Sequence, residues 1–375
     1  MNEKEIAELR RRYRFGKSNI SHVHGCFVNE NKEIISEFDQ GLGMMNEEDA
    51  DQILGVMRKT LSGYLGRTLL EVEFSTKQVM ESEEHALLTR LRSTELKDAE
   101  AVRALYEKII ASLEIEGNYV ILLAHDRYDV YSYSADGQQK EESTESFSYI
   151  LCSICPIKSG KPSLSFYLPS NCFRTVCADT VLCAPALGFM FPAFEDGGAN
   201  LYKALYYTKD LENSHEELSD ALFSSHLPMP AVAQKETFGS ILERAMEEDC
   251  SLRVVRSVHN QVRQMMEAHK EEKSEEPFVI TKETAGDMLR YIGVPEERVS
   301  AFETKYEEEF GESAELTPKN LVETNRFRIQ TPEVKIQVSA ENGDLVETRV
   351  IDGVRYILIR ADHEVEINGV NVQID

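Results

Sequence analysis

Leu187-Gly-Phe-Met-Phe-Pro-Ala-Phe-Glu-Asp-Gly-Gly-Ala-Asn-Leu-Tyr-Lys-Ala-Leu-Tyr-Tyr-Thr-Lys-Asp210 closes the stretch that decides the fold, a charge-poor block that opens at Phe147. The block holds 5 basic and 4 acidic residues in 64, against 36 basic and 62 acidic in the other 311, so this is where the chain buries itself. Residues 147–154, 164–168 and 180–183 read as strands. Just upstream, Tyr119-Val-Ile-Leu-Leu-Ala124 is wholly apolar, the pattern of a strand covered on both faces. Residues 128–133 are expected to supply its partner, and residues 137–145 to form a polar, exposed loop.

Toward the N-terminus, helices precede and alternate with strands. Ile6 and Leu9 give a short helical pattern at the start, and a hairpin follows over residues 23–28 and 33–38 around Asn29-Glu-Asn-Lys32. Asn46 caps a helix through Ile53, Val56, Met57 and Leu61, with Glu47, Glu48 and Asp49 in a first turn that favours negative charge. Residues 94–113 form a second amphipathic helix. The first two hundred residues are therefore α+β.

Beyond Asp210 the character is helical. Two helices are expected over 237–248 and 251–270, then a solvated charged run, Lys270-Glu-Glu-Lys-Ser-Glu-Glu-Pro277. A helical hairpin follows, closing its first helix at Gly293, opening the second at Pro295 and ending at Gly311. From Arg326 the apolar period switches from about 3.6 to 2, and Asn342-Gly343, Asp352-Gly353 and Asn368-Gly369 separate the runs. Five strands are expected, near 333–340, 345–351, 354–361, 364–367 and 370–374. The expected organisation is an α+β domain over 1–230, a helical region with a charged linker over 231–276, a helical hairpin over 277–322 and a β-meander over 323–375.

Composition bounds function more than it names it. A net charge of −25 repels nucleic acid and anionic lipid over most of the surface, so nucleic-acid binding must rest on local basic patches. No run of 18 apolar residues occurs and the first residues lack the apolar stretch of a signal peptide, which points to the cytoplasm and away from a membrane. Seven cysteines, Cys26, Cys152, Cys155, Cys172, Cys177, Cys183 and Cys250, are an odd number concentrated in the apolar block, where a thiol behaves as a small hydrophobe. No disulfide is needed, and no cofactor is expected.

Several motifs carry chemistry weakly. His22-x-His24-x-Cys26 puts three metal-ligand types on one face of a strand, but they span roughly 13 Å at 3.3 Å per residue, too far for one ion without a bend. Cys152-Ser-Ile-Cys155 falls inside a strand rather than at the helix start a thioredoxin-like motif needs, so it reads as buried thiols. His125-Asp126 is placed at the end of the apolar strand, with Asp129 and Asp136 nearby, where working groups often sit. Gly63-Tyr-Leu-Gly66 and Glu195-Asp-Gly-Gly198 read as turns. Two basic features remain: Arg10, Arg11, Arg12, Arg14 and Lys17 at the N-terminus, and Arg253, Arg256 and Arg263 at steps of 3 and 7 along one side of a helix.

Leu61-Ser-Gly-Tyr-Leu-Gly66, Tyr128-Asp-Val130, Tyr149-Ile-Leu-Cys-Ser-Ile-Cys-Pro156, Leu187-Gly-Phe-Met-Phe-Pro-Ala-Phe-Glu-Asp196 and Val350-Ile-Asp-Gly-Val-Arg-Tyr-Ile-Leu-Ile359 together resemble a bacterial family known as a domain of unknown function, over nearly the whole chain. That resemblance brings no activity. A looser similarity of layout is to bacterial nucleoid-associated proteins, with Asn320-Leu-Val-Glu-Thr-Asn-Arg-Phe-Arg-Ile-Gln330 leading into paired strands. The leading expectation is a cytoplasmic, non-enzymatic binding or scaffold protein that meets a protein partner or itself. A nucleoid-associated protein using the two basic features is the second reading, and a metal-dependent enzyme centred on His22, His24 and Cys26 or on His125 and Asp126 the third.

Overall fold

The structure is a computed structural model and describes residues 1–133, 139–159, 163–176, 180–195, 197–272, 278–323, 326–361, 365–367 and 369–373. Cys177, Asp136, Asn368 and residues 273–277 of the charged run lie outside the described residues. The chain divides into two compact units, Met1–Pro230 and Ala231–Asp375.

The first unit contains helices α1 (Glu3–Arg12), α2 (Glu47–Arg58), α3 (Thr76–Glu81), α4 (Glu83–Ser93), α5 (Ala99–Ser112) and α6 (Glu216–Phe223). Its strands are β1 (His22–Val28), β2 (Ile34–Gly41), β3 (Leu69–Glu73), β4 (Tyr119–Tyr133), β5 (Gln139–Ser159), β6 (Ser163–Tyr167), β7 (Cys172–Val176), β8 (Thr180–Leu182), β9 (Leu187–Phe191), β10 (Ala193–Glu195), β11 (Gly198–Asn200) and β12 (Lys203–Thr208). One antiparallel sheet in the order β2-β1-β4-β5-β9-β12-β3 runs through the unit, with β8 added along β5. The decisive stretch supplies β9 and β12, the two strands that tie the β4–β5 hairpin to β3.

Helices cover both faces of this sheet. Ile121 and Leu123 of β4 point to one face with Ile150, Cys152, Phe189 and Phe191, where Leu88, Leu91, Leu105, Ile109 and Phe223 of α4, α5 and α6 pack. Val120, Leu122 and Ala124 point to the other, against Ile6 and Leu9 of α1 and Leu54 and Met57 of α2. The wholly apolar 119–124 run is thus buried on both sides, as its composition requires. At the centre β5 and β9 come so close that a Cβ on Gly188 would lie 2.4 Å from the Cys152 carbonyl oxygen, so only glycine fits there.

Local signals account for the helices. Asn2 and Glu5 form a capping box on α1, Asn46 accepts from the Asp49 amide at the start of α2, and Asp98 caps α5. That last cap moves the helix expected over 94–113 to a start at Ala99, because Glu95 and Leu96 adopt left-handed φ of 54° and 61° and break the chain from α4. Residues 128–133 are not a separate partner strand. They continue β4, whose partner is β5, and β5 already begins at Gln139 inside the residues expected as a loop.

The second unit holds α7 (Ala231–Met246), α8 (Leu252–Glu272), α9 (Lys282–Tyr291), α10 (Glu296–Phe310) and α11 (Pro318–Leu321), followed by β13 (Arg326–Gln330), β14 (Lys335–Ser339), β15 (Val346–Ile351), β16 (Val354–Ile359), β17 (Val365–Ile367) and β18 (Val370–Val372). Phe238, Ile241, Val258, Val262, Met288, Leu289, Val299 and Phe302 build its core. The helical hairpin closes as its punctuation dictates, with Gly293 at φ 85° and Gly311 at φ 95°. The C-terminal strands pair two by two, β13 with β14, β15 with β16 and β17 with β18. Asp352-Gly353 is a two-residue hairpin turn with φ of 50° and 81°, whereas Asn342-Gly343 lies in a 3-10 segment between two hairpins. β13 is a strand additional to the five expected.

Candidate functional site

Arg12 is the last residue of α1, and its side chain turns inward. Its guanidinium grips Asp126 with two bonds, Nε to Oδ2 at 3.1 Å and Nη2 to Oδ1 at 3.2 Å, while lying 4.4 Å over the Tyr128 ring. Asp126 is completely buried and also accepts from the Asn19 amide at 3.0 Å, the Arg127 amide at 2.9 Å and the Tyr149 hydroxyl at 3.0 Å. Burial acts to lower the Arg12 pKa, but the bonds and charge of Asp126 outweigh it and the pKa is raised. Burial holds the neighbouring Tyr13 and Tyr149 phenols well above their ordinary range. The role of this cluster is structural: it staples the loop after α1 to the middle of β4. His125-Asp126 does not end the apolar strand as its sequence suggests, because β4 runs on to Tyr133 and leaves both residues mid-strand.

A second carboxylate fixes the same loop, since Asp51 of α2 accepts from the Phe15 amide at 2.8 Å. Between these staples the loop forms one wall of a cleft of 490 Å³, with Phe15, Gly16, Ser18, Ile20, Ser21 and His22 on one side and Gly41, Leu42, Gly43, Met44 and Leu54 on the other. Met44 is 94% exposed and Phe15 39%, large apolar side chains left at the mouth. Arg14 and Lys17 interleave with these lining residues and are exposed. Of the cluster Arg10, Arg11, Arg12, Arg14 and Lys17, only Arg12 makes an ion pair among the described residues.

The histidine motif divides. His22, His24 and Cys26 do alternate onto one face of β1, but His22 is exposed at the cleft with its Nδ1 3.1 Å from Ser21 Oγ, while His24 faces Asp39 of β2 at 3.6 Å. Burial pushes the His24 pKa down, only partly offset by Asp39, and pushes the fully buried Cys26 thiol up to about 12. A thiol held protonated in an apolar core is a poor ligand. Among the described residues no three of His, Cys, Asp and Glu converge as a ligand set. Cys152 and Cys155 sit three residues apart in a strand and so enter opposite cores, which leaves no redox pair.

His125 and Asp126, adjacent in β4, likewise point to opposite faces. His125 Nε2 lies 2.8 Å from Ser148 Oγ, and Arg92 Nε donates to the Ser148 carbonyl at 2.7 Å. Burial lowers the His125 pKa. Sequence reading missed Ser148 and Arg92, because the pairing of β4 with β5 that brings them together is not visible in local pattern. Ser148 lies within the strand, opposite Arg127, rather than on the exposed turn from which a nucleophilic serine works.

In the second unit the α8 stripe faces its own β-hairpins in part. Arg256 Nη1 donates to the Gly343 carbonyl at 3.2 Å and to the Val346 carbonyl at 3.5 Å, so it is a structural residue. Arg263 buries Nε and Nη1 with no hydrogen-bond partner among the described residues, and Arg253 is exposed.

Comparison with protein families settles what kind of chain this is. The model of a domain of unknown function, DUF4317, matches residues 1–370. The chain belongs to the DUF4317 family. The match spans both units. Among curated proteins none matches the chain. Family membership accords with the first resemblance read from the sequence; the layout similarity to nucleoid-associated proteins has no counterpart in it. Among the described residues no helix is long and apolar enough to cross a membrane.

Proposed function

We propose that this DUF4317 chain is a non-enzymatic binding protein of the bacterial cytoplasm, and that its N-terminal cleft takes a ligand with an apolar body and an anionic group. One observation carries the reading: a cleft of 490 Å³ with Phe15, Ile20, Leu42, Met44 and Leu54 in its walls is built on the same loop as Arg14 and Lys17, two exposed cations that make no ion pair among the described residues, in a chain of net charge −25. A cleft of this volume, mostly apolar with a few polar groups, is the usual form of a small-molecule site. The titratable group in its lining is His22, whose ring bonds the Ser21 hydroxyl at 3.1 Å and lies 6.4 Å from the His24 ring, with no carboxylate in the cleft lining to pair with it. The cytoplasmic placement draws support from the free thiols of Cys26, Cys152, Cys155, Cys172, Cys183 and Cys250.

The test is calorimetric titration with octanoate, octyl phosphate and, as the uncharged control, 1-octanol. The anions are expected to bind with dissociation constants of about 1 mM or tighter and the alcohol at least tenfold more weakly. Arg14→Glu with Lys17→Glu removes that preference, and Met44→Glu at the exposed mouth weakens all three. Equal binding of alcohol and anions, or none by either anion, refutes the proposal. The nucleic-acid reading retains Arg10, Arg11, Arg14, Lys17 and Arg253, whereas Arg12 is held by Asp126, Arg256 by two carbonyls, and Arg263 has Nε and Nη1 buried. It predicts that duplex DNA displaces the anions from the loop at about 50 mM salt and not at about 200 mM, since each phosphate contact releases counterions.

A further inference from the structure

The β15–β16 hairpin is a two-stranded sheet, and such a sheet is marginal in water by itself. Its hydrogen-bond phase follows from one bond: the Arg360 amide donates to the Leu345 carbonyl at 2.8 Å, so Leu345 and Arg360 form a bonded pair, and by alternation so do 347 with 358, 349 with 356 and 351 with 354. The backbone groups of Val346, Thr348 and Val350 therefore point out along one edge, and those of Arg355, Ile357 and Ile359 along the other. The first edge is partly closed, because Arg256 occupies the Val346 carbonyl. The second meets no strand among the described residues.

That open edge belongs to Val354-Arg-Tyr-Ile-Leu-Ile359, a strand with one charged residue and with Val354 53%, Tyr356 44% and Ile359 55% exposed. An open, largely apolar edge of this kind is a template for another strand, and natural proteins normally blunt it with charge, proline or a bulge. Charge indicates which strand. Residues 326–361 carry six basic and five acidic side chains, while the other 339 residues carry 35 and 61. Two copies of so acidic a chain repel each other over most orientations, and a near-neutral segment such as this one lets them approach with little of that cost.

We propose that the β16 edge pairs with the β16 edge of a second copy, antiparallel and centred on Ile357. In that register Ile357 faces Ile357, Tyr356 faces Leu358 and Arg355 faces Ile359 of the second copy, and every outward residue meets an outward residue. The product is a four-stranded sheet, β15-β16-β16-β15, with apolar pairs across its centre and a closed two-fold interface. It depends on neither the cleft nor its ligand.

The full chain is examined by sedimentation velocity between about 1 and about 100 μM, the range in which an interface of this modest size is expected to associate. Wild type is expected to shift from monomer to dimer across that range. Ile357→Pro removes an outward amide that takes no part in the hairpin, so it leaves the hairpin and abolishes the dimer, whereas Thr348→Pro on the opposite edge leaves the dimer intact. Ile357→Cys, placed on the two-fold axis with Cα atoms about 5.5 Å apart, gives a disulfide-linked dimer on a non-reducing gel that wild type does not give. A wild type that stays monomeric, a dimer insensitive to Ile357→Pro, or one broken by Thr348→Pro overturns the proposal. Should Ile357→Pro lose its circular dichroism, the cysteine decides: no crosslink refutes the pairing.

Discussion

Replacing Arg12 by Met removes the charge that neutralises Asp126 and leaves a carboxylate with no exposed surface in the middle of β4. The Arg12 side chain is 15% exposed, so the pair is slightly screened, and the cost belongs at the lower end of the 3–5 kcal/mol seen when one partner of a buried pair is removed, about 3 kcal/mol. Asp126 keeps the Asn19 and Arg127 amides and the Tyr149 hydroxyl, which prevents a larger loss. For a unit of this size that corresponds to a fall of roughly 6–12 °C in Tm. Asp126→Leu strips an acceptor from all these donors and is expected to cost at least as much, while the double replacement costs less than the sum of the singles by about 2 kcal/mol, because neither charge is then left alone. The assay is urea unfolding followed by far-ultraviolet circular dichroism and tyrosine emission, reading the transition of the unit that contains α1. A cost under about 1 kcal/mol for Arg12→Met, or additive singles, would show that the cluster does not hold the loop as a buried pair.

Two further outcomes follow from the same geometry. His125 and His259 have pKa values pushed below the ordinary 6.5 by burial, so the unfolded chain takes protons first: stability contributed by their neutral forms is present above about 6.5 and is lost as pH falls through that value toward the lowered folded pKa. Measured as a difference from His125→Gln and His259→Gln, which cancels the general effect of discharging carboxylates, wild-type Tm should fall more steeply between pH 7 and 5; parallel curves would contradict this. Iodoacetamide under native conditions should label Cys172, which is exposed, and spare Cys26, Cys152 and Cys155, with no Cys152–Cys155 disulfide after mild oxidation. Detection of that disulfide by mass spectrometry in folded protein would mean the two thiols do not lie on opposite faces of β5.

The amino-acid sequence determined every feature whose cause is local. Asn2, Asn46 and Asp98 start helices because a side-chain oxygen satisfies the first free amides, Gly293 and Gly311 end them because the backbone turns left-handed there, and Asp352-Gly353 makes a two-residue hairpin for the same reason. The apolar run from Tyr119 to Ala124 announced burial on two faces. Tertiary structure decided whatever depends on register and on which strand lies beside which. Strand parity, once β4 is seen to run unbroken, puts His125 and Asp126 on opposite faces, as it does Cys152 and Cys155, and no periodicity argument reaches that without the strand's true length. The Arg10 to Lys17 cluster looked uniform in sequence; folding divided it, committing Arg12 to a carboxylate 114 positions away and leaving Arg14 and Lys17 beside a cleft whose other wall comes from residues 41–54. Local composition sets which groups are charged, but only the path of the chain sets which of those charges are neutralised within the fold and which remain to meet a ligand.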